Sequence, residues 1–140
     1  MAYRFLDHGA DVCFEVTARS LPELFCEALR ALTDTMVDVE SVMAEIQSPV
    51  EIRAADLEVL LVDWLNEAVA FHETEGALFT RADIEIEPTS SGWHLAGVRW
   101  GESFDADRHG LKTLVKAVTF HQLRIERGVR AWRARVVLDL

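Results

Sequence analysis

The sequence predicts an α+β fold, a two-layer sandwich in which two helices pack on one face of a largely antiparallel sheet. Two stretches carry apolar residues at helical spacing, and several shorter stretches alternate apolar with polar residues. Everything after Gly76 has the pattern of strands and turns. With 140 residues the chain forms a single domain, 1–140, long enough to bury an ordinary core.

The first third of the chain predicts strands followed by a helix. Residues 5–17 favour one or two short strands interrupted at Gly9, because apolar and polar side chains alternate after that glycine. Ser20 and Glu23 have the spacing of a capping box at a helix N-terminus. Apolar residues then recur every three or four positions, so we expect an amphipathic helix that runs to about Met36.

The middle of the chain predicts an edge strand and a second helix. Residues 42–53 alternate loosely, and Pro49 restricts them to an edge strand or a bulge because proline lacks the N–H that a ladder needs. Asp56 is placed to cap a helix with a wide apolar stripe, and Gly76 is placed to end it.

The last part of the chain predicts two hairpins joined by a polar loop. Residues 84–87 and 93–100 alternate on either side of a turn, which indicates the first hairpin. Residues 101–110 carry three acids and a histidine and are expected to form a solvated loop, because the rest of a calcium-loop pattern is missing. Residues 114–125 and 131–138 predict two further strands.

Composition restricts the classes of function. Acidic residues outnumber basic ones 24 to 14, for a net charge of −10, which argues against general nucleic-acid affinity because Lys and Arg make the phosphate contacts. No apolar run is long enough for a membrane span, and the first residues lack the apolar core of a secretory signal. We therefore expect a cytoplasmic protein whose Cys13 and Cys26 are reduced thiols.

Two acidic residues suggest a metal site. Asp139 follows an apolar strand-like run, and Asp11 lies between strand-like residues near the start. If the two strands meet, Asp11, Asp139 and the carbonyl or carboxylate of Leu140 converge on one divalent cation. An all-oxygen set suits Ca²⁺ or Mg²⁺ better than zinc. The alternative is that both acids are ordinary exposed strand-end residues.

His8 and Lys116 are the other candidates. His8 and Asp11 have the residue types of a general-base pair, but the sequence offers no nucleophile with a local motif beside them. Lys116 is expected on a strand, on the same face as Val118 and Phe120. A lysine there must extend its ammonium to water, pair with Asp11 or Asp139, or face a partner.

Four segments together resemble a known family. They are residues 8–12, 60–67 and 115–121 and the final Asp139-Leu140. In this order, over nearly the whole chain, they are similar to archease, a family of small acidic proteins that assist the RtcB-type RNA ligase in tRNA splicing and RNA repair. The chain departs from the family pattern at Gly9, where a threonine is usual, and at Cys13, where a glycine is usual.

The resemblance implies a two-layer α/β sandwich with a cation, usually calcium, held at the positions of Asp11, Asp139 and Leu140. It also implies a non-enzymatic activator that promotes GTP-dependent guanylylation and multiple turnover of the ligase, its transient protein partner, without stable nucleic-acid binding of its own. His8 and Lys116 are then candidates for facing the partner.

Two competing readings remain open at this point. One is a small metal-dependent hydrolase that uses Asp11 and Asp139 with His8 as the base. The other is an interaction module in which the cation only ties the two chain ends together.

Overall fold

The structure is a computed structural model that describes residues 2–6 and 11–140. In chain order the elements are β1 (Ala2–Leu6), β2 (Val12–Ala18), α1 (Leu21–Met36), a 3₁₀ turn (Val39–Ser41), β3 (Ile46–Ala54), α2 (Leu57–Glu75), β4 (Ala77–Thr89), β5 (Gly92–Ser103), α3 (Ala106–His109), β6 (Ala117–Arg127) and β7 (Trp132–Asp139).

The strands form two antiparallel sheets. One sheet has the strand order β1-β2-β7-β6 and the other has the order β3-β5-β4. Helices α1 and α2 each contact strands of both sheets. The predicted α+β sandwich with antiparallel strands is confirmed, with the strands divided between two sheets.

The helix boundaries follow from their caps. Ser20 Oγ accepts a hydrogen bond of 3.3 Å from the Glu23 N–H, and Asp56 Oδ1 accepts one of 2.8 Å from the Val59 N–H. Both caps satisfy an N–H that has no partner within its helix. Gly76 ends α2 at φ 69°, a left-handed conformation that glycine adopts without steric cost. These three predictions are confirmed.

Strand positions agree with the sequence patterns in most places. Pro49 lies on β3, which is an edge strand as predicted. The expected strand over residues 114–125 is wrong at its start, because β6 begins only at Ala117. Residues 112–116 are held instead by main-chain bonds: the Lys112 N–H donates to the Met36 carbonyl and the Lys116 N–H to the Asp139 carbonyl.

The core lies between the two helices and the inner faces of both sheets. Trp64 of α2 is fully buried, and its indole N–H donates a 2.9 Å hydrogen bond to the Phe25 carbonyl of α1. This bond ties the two helices together at the site of a large apolar side chain. Other large, fully buried residues are Phe14, Phe25, Leu24, Leu29, Leu32, Leu60, Leu61 and Leu65.

Both cysteines are free thiols, as expected. Burial is the main reason that the pKa of Cys13 is raised and that the pKa of Cys26 rises to about 11. A raised pKa keeps a thiol protonated and poorly nucleophilic. Among the helices that the structure describes, none combines the length and apolar character that crossing a membrane requires.

Trp64→Ala should lower the free energy of unfolding by about 3–5 kcal/mol, because it removes a fully buried aromatic side chain and leaves a cavity. Trp64→Phe keeps most of the apolar volume but leaves the Phe25 carbonyl without its donor, at a cost of about 1–3 kcal/mol. Urea denaturation of the parent and both variants measures the two losses. Equal stability of Trp64→Ala and the parent would contradict the packing described here.

Candidate functional site

Three neighbouring strands have ends where the predicted ligands Asp11 and Asp139 are located. In the antiparallel register Val12 of β2 lies opposite Leu138 of β7, and Ala117 of β6 lies opposite Asp139. Asp11 immediately precedes β2, and Asp139 is the last residue of β7. The two acids, although distant in sequence, therefore belong to the same end of the sheet.

Both acidic side chains face solvent. Asp11 and Asp139 are exposed, whereas Leu138 is fully buried, so Asp139 points away from the core. Leu140 is half-buried and packs against the core, which keeps its carbonyl beside the strand end. Opposed like charges destabilise a strand pair. A hard cation between these oxygens would replace that repulsion with attraction.

Among the described residues, Asp11 and Asp139 are the two acidic side chains predicted for this site. Within residues 2–6 and 11–140, no group of three or more His, Cys, Asp or Glu side chains is arranged to hold a metal ion. A cation bound by Asp11 and Asp139 therefore needs a further oxygen, and the Leu140 carbonyl is the nearest one that the resemblance implies. His8 lies outside the described residues, so its proposed roles stay predictions.

Lys116 lies directly beside this strand end. Its N–H donates a 2.8 Å hydrogen bond to the Asp139 carbonyl, and its side chain is exposed. In the part of the chain that the structure describes, the Lys116 ammonium forms no ion pair, so the proposed pairing with Asp11 or Asp139 is not present there. The remaining alternatives are an ammonium in water and an ammonium that faces a partner.

Asn66 on α2 holds the start of β6 in place. Its side-chain oxygen accepts a 2.7 Å hydrogen bond from the Val118 N–H, and its side-chain NH₂ donates a 3.1 Å bond to the Val118 carbonyl. β6 is an edge strand of its sheet, so these two groups have no neighbouring strand to pair with. Asn66 therefore anchors the strand that begins beside Asp139 and Lys116.

The expectation of a solvated loop over residues 101–110 is wrong, because β5 extends to Ser103 and Ala106–His109 form the short helix α3. Glu102 is 3% exposed and His109 is fully buried, while Asp105 and Asp107 are exposed. The Glu102 carboxylate accepts hydrogen bonds from the Met43 N–H at 3.0 Å, from His109 Nε2 at 2.7 Å and from the Arg108 guanidinium. These bonds compensate for the free-energy cost of burying the charge. The sequence pattern does not reveal that such partners are present.

The two hydrogen bonds of the His109 ring determine its tautomer and its role. Nδ1 accepts a 2.8 Å hydrogen bond from the Asp105 N–H, so the ring proton is on Nε2 and is donated to Glu102. Both ring nitrogens are therefore occupied by protein groups. A general base needs a free nitrogen to receive a proton, so this carboxylate–histidine pair is a structural contact rather than a catalytic dyad.

Arg99 is a buried cation between two aromatic rings. Its guanidinium carbon lies 4.6 Å from the ring centre of Phe79 and 5.2 Å from that of Phe71, and Nη2 donates a 2.8 Å bond to Glu67. Nε and Nη1 have no hydrogen-bond partner among the described residues. Ring faces partly replace water around these N–H groups, and desolvation lowers the pKa of Arg99. Through these contacts Arg99 holds α2 against β4 and β5.

The fold and the composition define a class of small acidic α+β proteins. The sequence profile of the Archease protein family (MTH1598/TM1083) matches residues 3–140. Protein archease of Methanopyrus kandleri is 39% identical, and the match covers 100% of both chains. Protein archease of Archaeoglobus fulgidus is 37% identical, again over 100% of both chains. The chain belongs to the archease family.

Solved structures agree with this assignment. The solution structure of Methanobacterium thermoautotrophicum protein 1598 is 37% identical, with a TM-score of 0.85 over 99% of this chain and 98% of that one. The crystal structure of an archease and possible chaperone from Thermotoga maritima is 20% identical, with a TM-score of 0.63 over 96% and 94% of the two chains. The second likeness concerns the fold alone.

The Glu102 cluster should make stability depend on acid pH. Hydrogen bonds, above all from Arg108, lower the pKa of Glu102 from 4.5 to about 2. The unfolded carboxyl takes up a proton near pH 4.5 and the folded one only near pH 2, so this contribution to stability is present above pH 4.5 and is lost between pH 4.5 and 2.

Thermal unfolding between pH 6 and 2.5 measures the effect. Glu102→Gln should melt below the parent at pH 6, and the difference should shrink as the pH falls. Glu85→Gln, which removes an exposed carboxylate on β4, is the control for the loss of one charge. A difference between Glu102→Gln and the parent that is constant over this range would contradict the assigned contacts.

Proposed function

We propose that this archease-family protein is an accessory protein that activates an RtcB-type RNA ligase in tRNA splicing and RNA repair. It promotes guanylylation of the ligase by GTP and multiple turnover, and it uses Ca²⁺ bound by Asp11, Asp139 and the Leu140 carbonyl. The main support is the register of β2 and β7, because Asp11 immediately precedes β2 and the exposed Asp139 ends β7 at the same end of the sheet.

The family assignment favours an accessory role over an independent enzyme. The curated relatives carry the name protein archease, and the Thermotoga maritima protein is described as a possible chaperone. A hydrolase that uses Asp11 and Asp139 would need a base. The base proposed for it, His8, lies outside the described residues, so the preference for an accessory role rests on the family assignment. The hydrolase is therefore the weaker of the two proposals.

The strand end is suited to transient docking. Asp11 and Asp139 project into solvent, and Lys116 lies beside them with an exposed side chain. In this proposal Asp11, Asp139 and the Leu140 carbonyl would hold the cation, and Lys116 would present its ammonium to the nucleotide pocket of the ligase. The cation would supply positive charge for positioning a metal ion or the GTP phosphates, and the ligase supplies the nucleophile.

Asp139→Asn should abolish stabilisation by calcium. An ion that binds only the folded state stabilises it by about 2.7 kcal/mol when its concentration is a hundred times Kd. The melting temperature of the parent should rise with calcium, and that of Asp139→Asn should not. Asp63→Asn, an exposed acid on α2, is the matched control and should respond like the parent. An equal calcium shift in Asp139→Asn and the parent would rule out this site.

Lys116→Ala should fold normally and lose stimulation of the ligase. Its side chain is exposed and the hydrogen bond to Asp139 comes from its main chain, so the substitution removes no core contact. A matched RNA ligase is incubated with GTP, and guanylate transfer and the number of joining turnovers are followed. We expect at least a tenfold loss of stimulation, on the order of the 1.4 kcal/mol that separates tenfold rates.

Arg53→Ala, on the other sheet, is the control and should stimulate the ligase like the parent. Normal stimulation by Lys116→Ala would remove Lys116 from the interface. If the parent itself stimulates neither guanylylation nor turnover, the proposed activation is wrong.

A further inference from the structure

The outward face of the four-stranded sheet is basic, although the whole chain has a net charge of −10. The β6–β7 hairpin, residues 117–139, contains five arginines against two acids, Glu126 and Asp139. The average composition therefore hides a strong separation of charge. A polyanion responds to the local field of the surface that it approaches, within about 10 Å at moderate salt.

The strand register gathers these arginines on one face. Arg135 lies between Glu15 of β2 and Arg124 of β6, and Arg133 lies opposite Glu126. The alternating residues of β7, such as Ala134 and Val136, are fully buried, so Arg133 and Arg135 point away from the core. We call the outward set the arginine face; its members are Arg4, Arg124, Arg133 and Arg135, with Glu15 and Glu126 between them.

The acids on this face neutralise it only in part. Glu15 pairs with Arg4 at 3.1 Å and lies 4.0 Å from Arg133, and Glu126 pairs with Arg124 at 3.5 Å. Among the ion pairs of the described residues, none involves Arg135. The side chains of Arg124 and Arg133 are 68% and 62% exposed, so their guanidinium groups remain open to a ligand.

The charged lining of this face favours a phosphate ligand over a protein. A groove there is lined by Glu15, Arg124, Glu126, Arg133 and Arg135, and every one of these side chains is charged. Protein interfaces bury apolar anchors at their centre and are depleted of charge there. Guanidinium groups, by contrast, match phosphate oxygens through paired N–H donors and need no apolar contact.

We propose that the arginine face binds the phosphodiester backbone of RNA, weakly and without sequence preference. The choice of RNA among phosphodiesters rests on the proposed function. On β7 the candidate cation site at Asp139 lies beyond the arginine face, separated from Arg135 by the buried Val137. An RNA strand bound by the arginines would therefore lie on the same sheet as the ligase-facing site of the proposed function.

Direct binding is tested without any ligase, so its failure is distinct from failure of the proposed activation. Fluorescence anisotropy follows a labelled single-stranded RNA of twelve nucleotides with the full chain and calcium. We expect the parent to bind with a Kd of about 1–100 µM, in the range of non-specific phosphate contacts, and to weaken steeply with salt.

The double variant Arg124→Gln/Arg133→Gln should bind about tenfold more weakly. Its slope of log K against log salt should fall by about 1.4, because each lost phosphate contact removes roughly 0.7 for single strands. The control Arg53→Gln/Arg81→Gln removes the same charge from the other sheet and should bind like the parent. Thermal unfolding checks that both variants are folded.

Three results would overturn the proposal. The first is that the parent binds no RNA in low salt. The second is that both double variants lose affinity equally, because the effect would then come from net charge alone. The third result is unchanged RNA binding by Arg124→Gln/Arg133→Gln together with weaker capture of the ligase, which assigns the arginine face to a protein partner.

Discussion

The pairing of β2 with β7 is the constraint on which the rest of the molecule depends. It joins the two ends of the described chain and places Phe14 opposite Val136 inside, with Glu15 opposite Arg135 outside. A slip of one residue would turn the buried side chains to solvent and the charged ones into the core. One register therefore determines the core, the end of the sheet at which Asp11 and Asp139 lie, and the arginine face.

Side-chain hydrogen bonds tie both helices to the four-stranded sheet. Asp34 on α1 accepts a 3.0 Å hydrogen bond from Tyr3 of β1 and a 3.1 Å bond from the Lys112 ammonium. Burial and this bond raise the pKa of Tyr3 to about 12, so the phenol remains a donor. Asn66 on α2 pairs with both main-chain groups of Val118. The exposed acids therefore project from a fixed frame, which lowers the cost of ordering them around a cation.

Two buried charges are compensated by contacts with other parts of the fold. Glu102 holds the α3 segment against the main chain at Met43, and Arg99 lies between Phe71 and Phe79. Glu102 pairs with Arg108, and Arg99 pairs with Glu67, so both charges act in packing. The strand end and the arginine face carry exposed charged groups instead, which fits a protein that acts by contact with partners.

Local signals in the sequence were sufficient for the two long helices and for most strands, but not for α3 or for the start of β6. The Ser20 and Asp56 caps, the left-handed Gly76 and the edge position of Pro49 follow from chemistry within a few residues, and all are present. The residues suggest that Asp11 and Asp139 converge on a cation, and the family resemblance strengthens this hypothesis over two ordinary strand-end acids. The structure places both at one end of the four-stranded sheet, and the cation site remains a prediction.

Other features were decided only by tertiary structure. The division of the strands into two sheets, the burial of Glu102 and His109, and the collection of arginines on one face all depend on contacts between distant segments. A charged residue in a polar stretch has the same local pattern whether it is solvated or compensated by partners elsewhere. Likewise, the net charge of −10 is a sum over the whole chain, and it does not show that the fold collects arginines on one surface. Local sequence determines which elements form, whereas strand register and burial determine which side chains meet.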